Sequence, residues 1–334
     1  MLASRSLVFV AVVASAAALQ AQSDQSPPKA PLPRLTEVRL ASSLDGEEQP
    51  VLYWAPETAT SKSTPLLVFL HSWSGDYRQD NSKWQRQAVE RGWIYLHPNF
   101  RGPNRSPRAC GSKFARQDIL DAMDFALSKF KVDVNRVYLA GTSGGGHMAM
   151  LMAGHHAGRF SAVSAWVGIS DIAEWYRFHL KDGKPQKYAQ MILKSLGGPP
   201  GENKERDADY RDRSPVFHLD KVGELPIQIC AGINDGHTGS VPIAHSLRAF
   251  NVIARSRSDE VITDEVITRL SDRKRVRQSS SALLAESRGF GRDVLFKQQS
   301  GPASVIIFDG GHEGLPVPAC EWLTDQRKKT SVSE

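Results

Sequence analysis

The segment Arg136-Val-Tyr-Leu-Ala-Gly-Thr-Ser143-Gly-Gly-Gly-His147 constrains this chain more than any other. An apolar run of strand composition drives straight into Gly141-Thr142-Ser143-Gly144-Gly145, a G-x-S-x-G pattern with a strand before it and a predicted helix after it. The chain must then reverse sharply between strand and helix, because side chains at Gly141 or Gly145 would collide with neighbouring backbone. Such a turn lifts the Ser143 hydroxyl above a sheet. It also aims the new helix's free N–H groups, that of Gly144 first, at any negative charge that develops there. A phosphate-binding turn would end in Gly-Lys-Ser or Gly-Lys-Thr, whereas this one runs on through Gly146, His147 and Met148. The pattern points to acyl-transfer chemistry, provided the remaining groups follow in order.

A serine hydroxyl attacks poorly until a base takes its proton, and the base needs an acid to hold its tautomer. In strand-turn-helix sites of this kind the order is Ser, then Asp or Glu, then His. Leu225-Pro-Ile-Gln-Ile-Cys-Ala-Gly232 reads as a buried strand emptying into Asn234 and Asp235, and Ala303-Ser-Val-Ile-Ile-Phe308 as another emptying into His312. Both polar residues lie just past the C-terminal end of a strand, at the sheet edge where Ser143 would emerge. Asp235 and His312 are thus the expected acid and base. Asp171, after the strand-like Ser161–Ile169, competes for the acid's place, while Asp309 reads as a turn former beside Gly310. Among the other histidines, His147, His155, His156 and His237 fit capping, packing or solvent positions. None of the ten histidines falls in an H-E-x-x-H or Cys-rich pattern, so neither a metal nor a cofactor is expected.

Pro65-Leu-Leu-Val-Phe-Leu70 is a continuous apolar run, the signature of a buried parallel strand, and it ends in His71-Ser72-Trp73. This loop resembles the His-Gly-x loop of α/β-hydrolases. The chain as a whole resembles that superfamily, and within it the esterases and prolyl-oligopeptidase-like catalytic domains of peptidase family S9. Further likeness lies in Pro98-Asn-Phe-Arg101-Gly102, Gln117-Asp118, Arg213-Ser-Pro215 and Ser240-Val-Pro242. The resemblance implies that the backbone N–H of Trp73 joins that of Gly144 in an oxyanion hole, with the Trp73 indole beside the acyl group. Ser72 stands where a glycine is usual, a departure in the loop that carries this donor.

The strand and helix patterns predict an α/β-hydrolase fold: a mostly parallel eight-stranded sheet with helices on both faces and a cap insertion. The expected hydrolase domain spans 35–328, with a cap at 172–219, a helical insertion at 255–298 and a tail at 329–334. The cap leaves the sheet where Ser143 points, which makes its Trp175 and Tyr176 candidate substrate-binding residues. Residues 1–21 read as a signal peptide, with Arg5 ahead of an apolar Leu7–Leu19 stretch and small residues around Ala21, followed by a Pro-rich linker at 22–34. The expected location is secreted or periplasmic, without stable membrane insertion after processing. Oxidative surroundings permit disulfides, yet three cysteines cannot all pair. Cys230 reads as a buried strand residue, and pairing of Cys110 with Cys320 stays open. The formal charge of +6 is modest, and its densest piece, Arg273-Lys-Arg-Val-Arg277, lacks interleaved aromatics, so no nucleic-acid partner is expected.

These features predict an exported serine hydrolase working through an acyl-enzyme. Its expected substrate is a small or carbohydrate-linked carboxylic ester, such as an acetyl or feruloyl ester of a polysaccharide. The alternative is a prolyl-oligopeptidase-like serine peptidase. That reading is weighed against the short stretch before Pro65, which leaves no room for a gating propeller. A third reading is a hydrolase-fold binding protein without catalysis, against which the complete Ser143, Asp235 and His312 set argues. The oligomeric state is not legible.

Overall fold

The computed structural model describes residues 30–328 except 275, 277 and 279. The signal-peptide and tail expectations, most of the Pro-rich linker and part of the basic cluster around Arg273 lie outside the described residues.

The first half of the chain runs β1 (Thr36–Ala41), β2 (Glu48–Trp54), β3 (Thr64–Leu70), α1 (Ser82–Glu90), β4 (Ile94–Pro98), α2 (Lys113–Lys129), β5 (Val132–Thr142), α3 (Gly144–His156) and β6 (Ala162–Trp166). The cap elements follow: α4 (Ile172–Phe178), the two-residue strands β7 (Leu180–Lys181) and β8 (Lys184–Pro185), α5 (Lys187–Leu196) and α6 (Lys204–Asp212). The chain then returns through β9 (Ile227–Gly232), α7 (Ala244–Ser256), α8 (Asp264–Ser271), α9 (Ser280–Phe290), β10 (Val294–Ser300), β11 (Ala303–Phe308) and α10 (Pro316–Thr324).

Nine strands form one sheet in the order β1-β2-β4-β3-β5-β6-β9-β11-β10. The six from β4 to β11 are parallel, and β1, β2 and β10 pair antiparallel at the edges. The composition of the strands follows this placement. Every residue of β3, β4, β6, β9 and β11 is buried, as expected of strands covered on both faces, whereas β1 alternates toward solvent. The ninth strand, β10, corrects the expected eight. Its Val294-Leu-Phe-Lys-Gln-Gln-Ser300 sequence is buried on one face only, so its polar half reads as a continuation of the helical charge pattern before it.

The strand order reverses between β3 and β5: the chain steps from β3 outward to β4, then crosses back to β5 and onward to β6. Loops leaving β3 and β5 therefore diverge and open a crevice at the strands' C-terminal ends. This crevice receives the Trp73 loop and Ser143. A second, smaller apolar cluster sits over it, built by Ile172, Trp175, Tyr176, Ile192, Leu196 and Tyr210 of the cap together with Trp73 itself. All three cysteines are free and buried, so Cys110 and Cys320 do not pair. Burial pushes both of these thiols up to about 12, leaving them protonated at neutral pH.

Candidate active site

Ser143 sits between β5 and α3 with φ 61° and ψ −118°, a left-handed conformation that a non-glycine residue adopts only when its surroundings compel it. Those surroundings are backbone. A methyl group at Gly141 would come within 2.2 Å of the Gly145 carbonyl oxygen, and one at Gly145 within 2.1 Å of the Leu70 carbonyl oxygen. The Ser143 N–H donates to the Trp166 carbonyl at 2.8 Å, fastening the turn to β6. Ser143 is 8% exposed.

His312, on the loop after β11, spans the two partners expected for it. Its Nε2 lies 2.8 Å from Ser143 Oγ and its Nδ1 2.8 Å from Asp235 Oδ2. Asp235 follows β9 and is buried, and its second oxygen accepts the N–H groups of Gly236 at 3.0 Å and Val241 at 3.1 Å. With both oxygens occupied, the carboxylate has one orientation, which fixes the His312 ring. Asp171 is engaged elsewhere: it caps α4, accepting the N–H groups of Ala173 at 2.8 Å and Glu174 at 3.0 Å.

The loop after β3 closes the other side. A methyl group on Gly144 would fall 2.2 Å from the Trp73 main-chain nitrogen, so the two expected oxyanion donors lie against one another. Ser72, which departs from the usual glycine, is tied down by Gln79, whose Oε1 accepts its N–H at 2.9 Å and its hydroxyl at 2.7 Å. The Trp73 carbonyl accepts the Asn104 N–H at 2.9 Å. The Trp73 side chain is a correction, because it does not stand open beside an acyl group. It is buried, edge-on to Trp175 at 4.7 Å between ring centres.

The two cap aromatics are corrected in the same sense. Trp175 is fully buried and Tyr176 is 8% exposed, both within the cap's own core. Their apolar bulk at helical spacing marks packing, which sequence alone does not separate from a substrate surface. Trp175 nonetheless reaches the site indirectly. Its indole N–H donates to the Ser240 carbonyl at 2.7 Å, and His179 Nε2 lies 3.0 Å from the same oxygen. Ser240 Oγ in turn stands 3.4 Å from His312 Nε2. Ser240 was legible only as part of the Ser240-Val-Pro242 likeness, since nothing in a lone serine announces a second hydroxyl on the histidine. Gly239 beside it is required by space, because a methyl there would come 2.2 Å from Asp235 Oδ1.

Away from this site, one described group carries metal-ligating atoms together: His155, Asp212 and His218, within 4.8 Å of one another. Their places are occupied by protein. Both imidazole Nε2 atoms face the Asp212 carbonyl, at 3.3 Å and 3.0 Å, and Arg116 holds the Asp212 carboxylate at 3.0 Å. They close the C-terminal end of α6.

The sequence profile of the prolyl oligopeptidase family matches residues 80–263, more than half of the chain. The chain belongs to the prolyl oligopeptidase family. Among its relatives, acylamino-acid-releasing enzyme 1 of Oryza sativa subsp. japonica is 26% identical over 208 residues, covering 56% of this chain and 25% of that one. The uncharacterized peptidase YtmA of Bacillus subtilis is 27% identical over 163 residues, covering 48% and 58%. The structure of Pyrococcus horikoshii acylaminoacyl peptidase superimposes with a TM-score of 0.56 at 18% identity, over 90% of this chain and 43% of that one. A puromycin-hydrolyzing peptidase of Mycobacterium tuberculosis gives 0.54 at 21%, over 67% and 34%. At these identities the structural likeness shows the α/β-hydrolase fold. The chain spans from a quarter to under three-fifths of the relatives' lengths.

Proposed function

We propose that this family member is a serine peptidase that cleaves short peptides or acylated amino acids through an acyl-enzyme. The carrying observation is His312 bridging Ser143 Oγ and Asp235 Oδ2 at 2.8 Å each, in a chain whose family is named for peptide-bond cleavage. His312 Nε2 takes the Ser143 proton as Oγ attacks the carbonyl carbon. Asp235 holds the imidazolium through Nδ1–H, and the N–H groups of Gly144 and Trp73 receive the oxyanion. Collapse of the tetrahedral adduct breaks the C–N bond while His312 returns the proton to the leaving amine. Water then enters, gives its proton to His312 and releases the acid, restoring Ser143. Returning a proton to a poor amine leaving group requires close positioning of Nε2, which the two bonds on His312 provide. Ester cleavage, the first expectation from the sequence, uses the same groups and is the lesser reading because the family match favours amides. Export is part of the proposal and rests on the composition of residues 1–21 alone.

The test is steady-state hydrolysis of aminoacyl and acyl-aminoacyl 4-nitroanilides beside short 4-nitrophenyl esters. The expected result is amide turnover that Ser143→Ala reduces by about a millionfold with folding preserved. Turnover of esters alone, with no anilide or peptide cleaved, would return the site to the esterase reading.

A further inference from the structure

We infer that a cationic cleft beside the oxyanion loop is a subsite for a carboxylate carried by the substrate, an inference that rests on the peptidase reading and names a substrate class for it. The cleft holds about 380 Å³ and is lined by Ser74, Arg105, Lys187, Gln190, Met191 and Lys194, with Pro103 as a further apolar wall. Three segments meet there, and each is tied to the next. Ser74 follows Trp73, whose main-chain nitrogen lies against Gly144. The Trp73 carbonyl bonds Asn104, the neighbour of Arg105, and Ser74 Oγ contacts Met191 Sδ of α5 at 3.7 Å. Lys187, Met191 and Lys194 recur at helical spacing, so one face of α5 presents two ammonium groups with a thioether between them.

The charge there has no structural use in the chain itself. No carboxylate lines the cleft, and among the described residues none of Arg105, Lys187 and Lys194 is ion-paired. Lys187 has the Tyr188 ring at 5.7 Å as its neighbour. Elsewhere in the same cap, Arg206 and Arg213 hold Glu202 and Asp209, and the cap's Glu174 is held by Arg248 of α7. Gathering three like charges in one concavity costs the fold energy that an anionic ligand recovers. Arg105 offers a planar fork to a carboxylate and the two lysines offer mobile point charges, while Met191 and Pro103 suit the methylene stem of an acidic side chain. A carboxylate held here lies within about one residue of the oxyanion donors along the Trp73–Ser74 backbone, a distance that an acidic residue next to the scissile bond spans.

The experiment compares kcat/KM for matched peptides carrying Glu or Gln at each position flanking the scissile bond. The 4-nitrophenyl esters of glutarate and pentanoate are measured in parallel, with wild-type protein and with K187A/K194A. The expected result is a preference for Glu of about tenfold at one position, the order that two or three exposed charge contacts supply, expressed mainly in KM. It should shrink at about 0.5 M salt, where exposed charges are screened. In K187A/K194A the preference should vanish while turnover of the Gln peptides is unchanged, and K187R/K194R should keep it. Equal rates for Glu and Gln peptides in the wild type, or a preference that survives in K187A/K194A, would overturn the subsite with the peptidase reading intact. If esters are cleaved and no peptide is, the peptidase reading falls. The glutarate and pentanoate pair then decides the cleft by itself: retained discrimination that K187A/K194A abolishes supports it, and no discrimination rejects it.

Discussion

At the residue scale, the site depends on side chains whose freedom has been removed. Ser143 is held at φ 61° by close backbone contact, and Asp235 has three bonds on two oxygens. The contrast with Asp171 makes a prediction. Asp235→Asn replaces the acceptor of the His312 Nδ1–H with an amide that can present N–H instead, stabilising the wrong tautomer. It should lower kcat by about ten-thousandfold. Asp171→Asn keeps an acceptor for the first turn of α4 and should change kcat by less than about threefold. Kinetics of the two variants at neutral pH check the ranking, and its reversal would move the acid's role to Asp171.

At the scale of elements, the loop that follows β4 is locked to α2 by a buried ion pair. Arg101 Nε lies 2.6 Å from Asp118 Oδ2, and the same guanidinium reaches Asp45 at 2.8 Å and Glu47 at 2.7 Å. Burial raises the Asp118 carboxyl even with Arg101 beside it, while the Arg101 bond holds Asp45 down to about 2. Removing the cation alone leaves Asp118 charged and enclosed. Arg101→Ala should therefore destabilise by about 3–5 kcal/mol, and adding Asp118→Ala should recover part of the loss. Urea unfolding of the single and double variants measures this, and an additive double variant would show that the pair is not coupled. The sequence showed Arg101 and Asp118 as separate details of a family likeness. That they are one structural unit depends on β4 and α2 packing together. The cap elements repeat the lesson, for Trp175 reads as a ligand surface until α4, α5 and α6 are seen to bury it.

For the molecule as a whole, buried imidazoles set the response to acid. Burial lowers His97 and His147 to about 4 and His245 to about 3, against an ordinary value near 6.5. Burial keeps each neutral, and main-chain groups fix the rings: His97 Nδ1 on the Phe69 carbonyl, His147 Nε2 on the Arg213 carbonyl, and His245 Nδ1 accepting the Ser170 N–H. Because their folded values lie below the unfolded one, the unfolded chain binds more protons between the two. Stability is full above about pH 6.5 and falls as pH drops toward 4, each histidine contributing up to about 1.4 kcal/mol per pH unit. Thermal unfolding at constant ionic strength should show Tm falling steadily below about pH 6.5. A Tm unchanged from pH 7 to about pH 4.5 would refute this.

The sheet's central strands were legible because strands covered on both faces are predominantly apolar, as β3, β9 and β11 are. The order Ser143, Asp235, His312 was legible because each lies where such a strand ends. The edge strand β10 was hidden by its polar face, and the burial of Trp73 and Trp175 by the likeness between a packing aromatic and a binding one. Local sequence determined which residues meet in the Ser143, His312 and Asp235 arrangement, since turn geometry and strand composition are written within a few positions of each. Only the tertiary structure decided that Ser240 stands on His312, that Asp171 caps a helix, and that Arg105 shares a cleft with Lys187 and Lys194. The first and last of those relations join residues 72 to 89 positions apart, and no periodicity along the chain encodes a distance across a sheet edge.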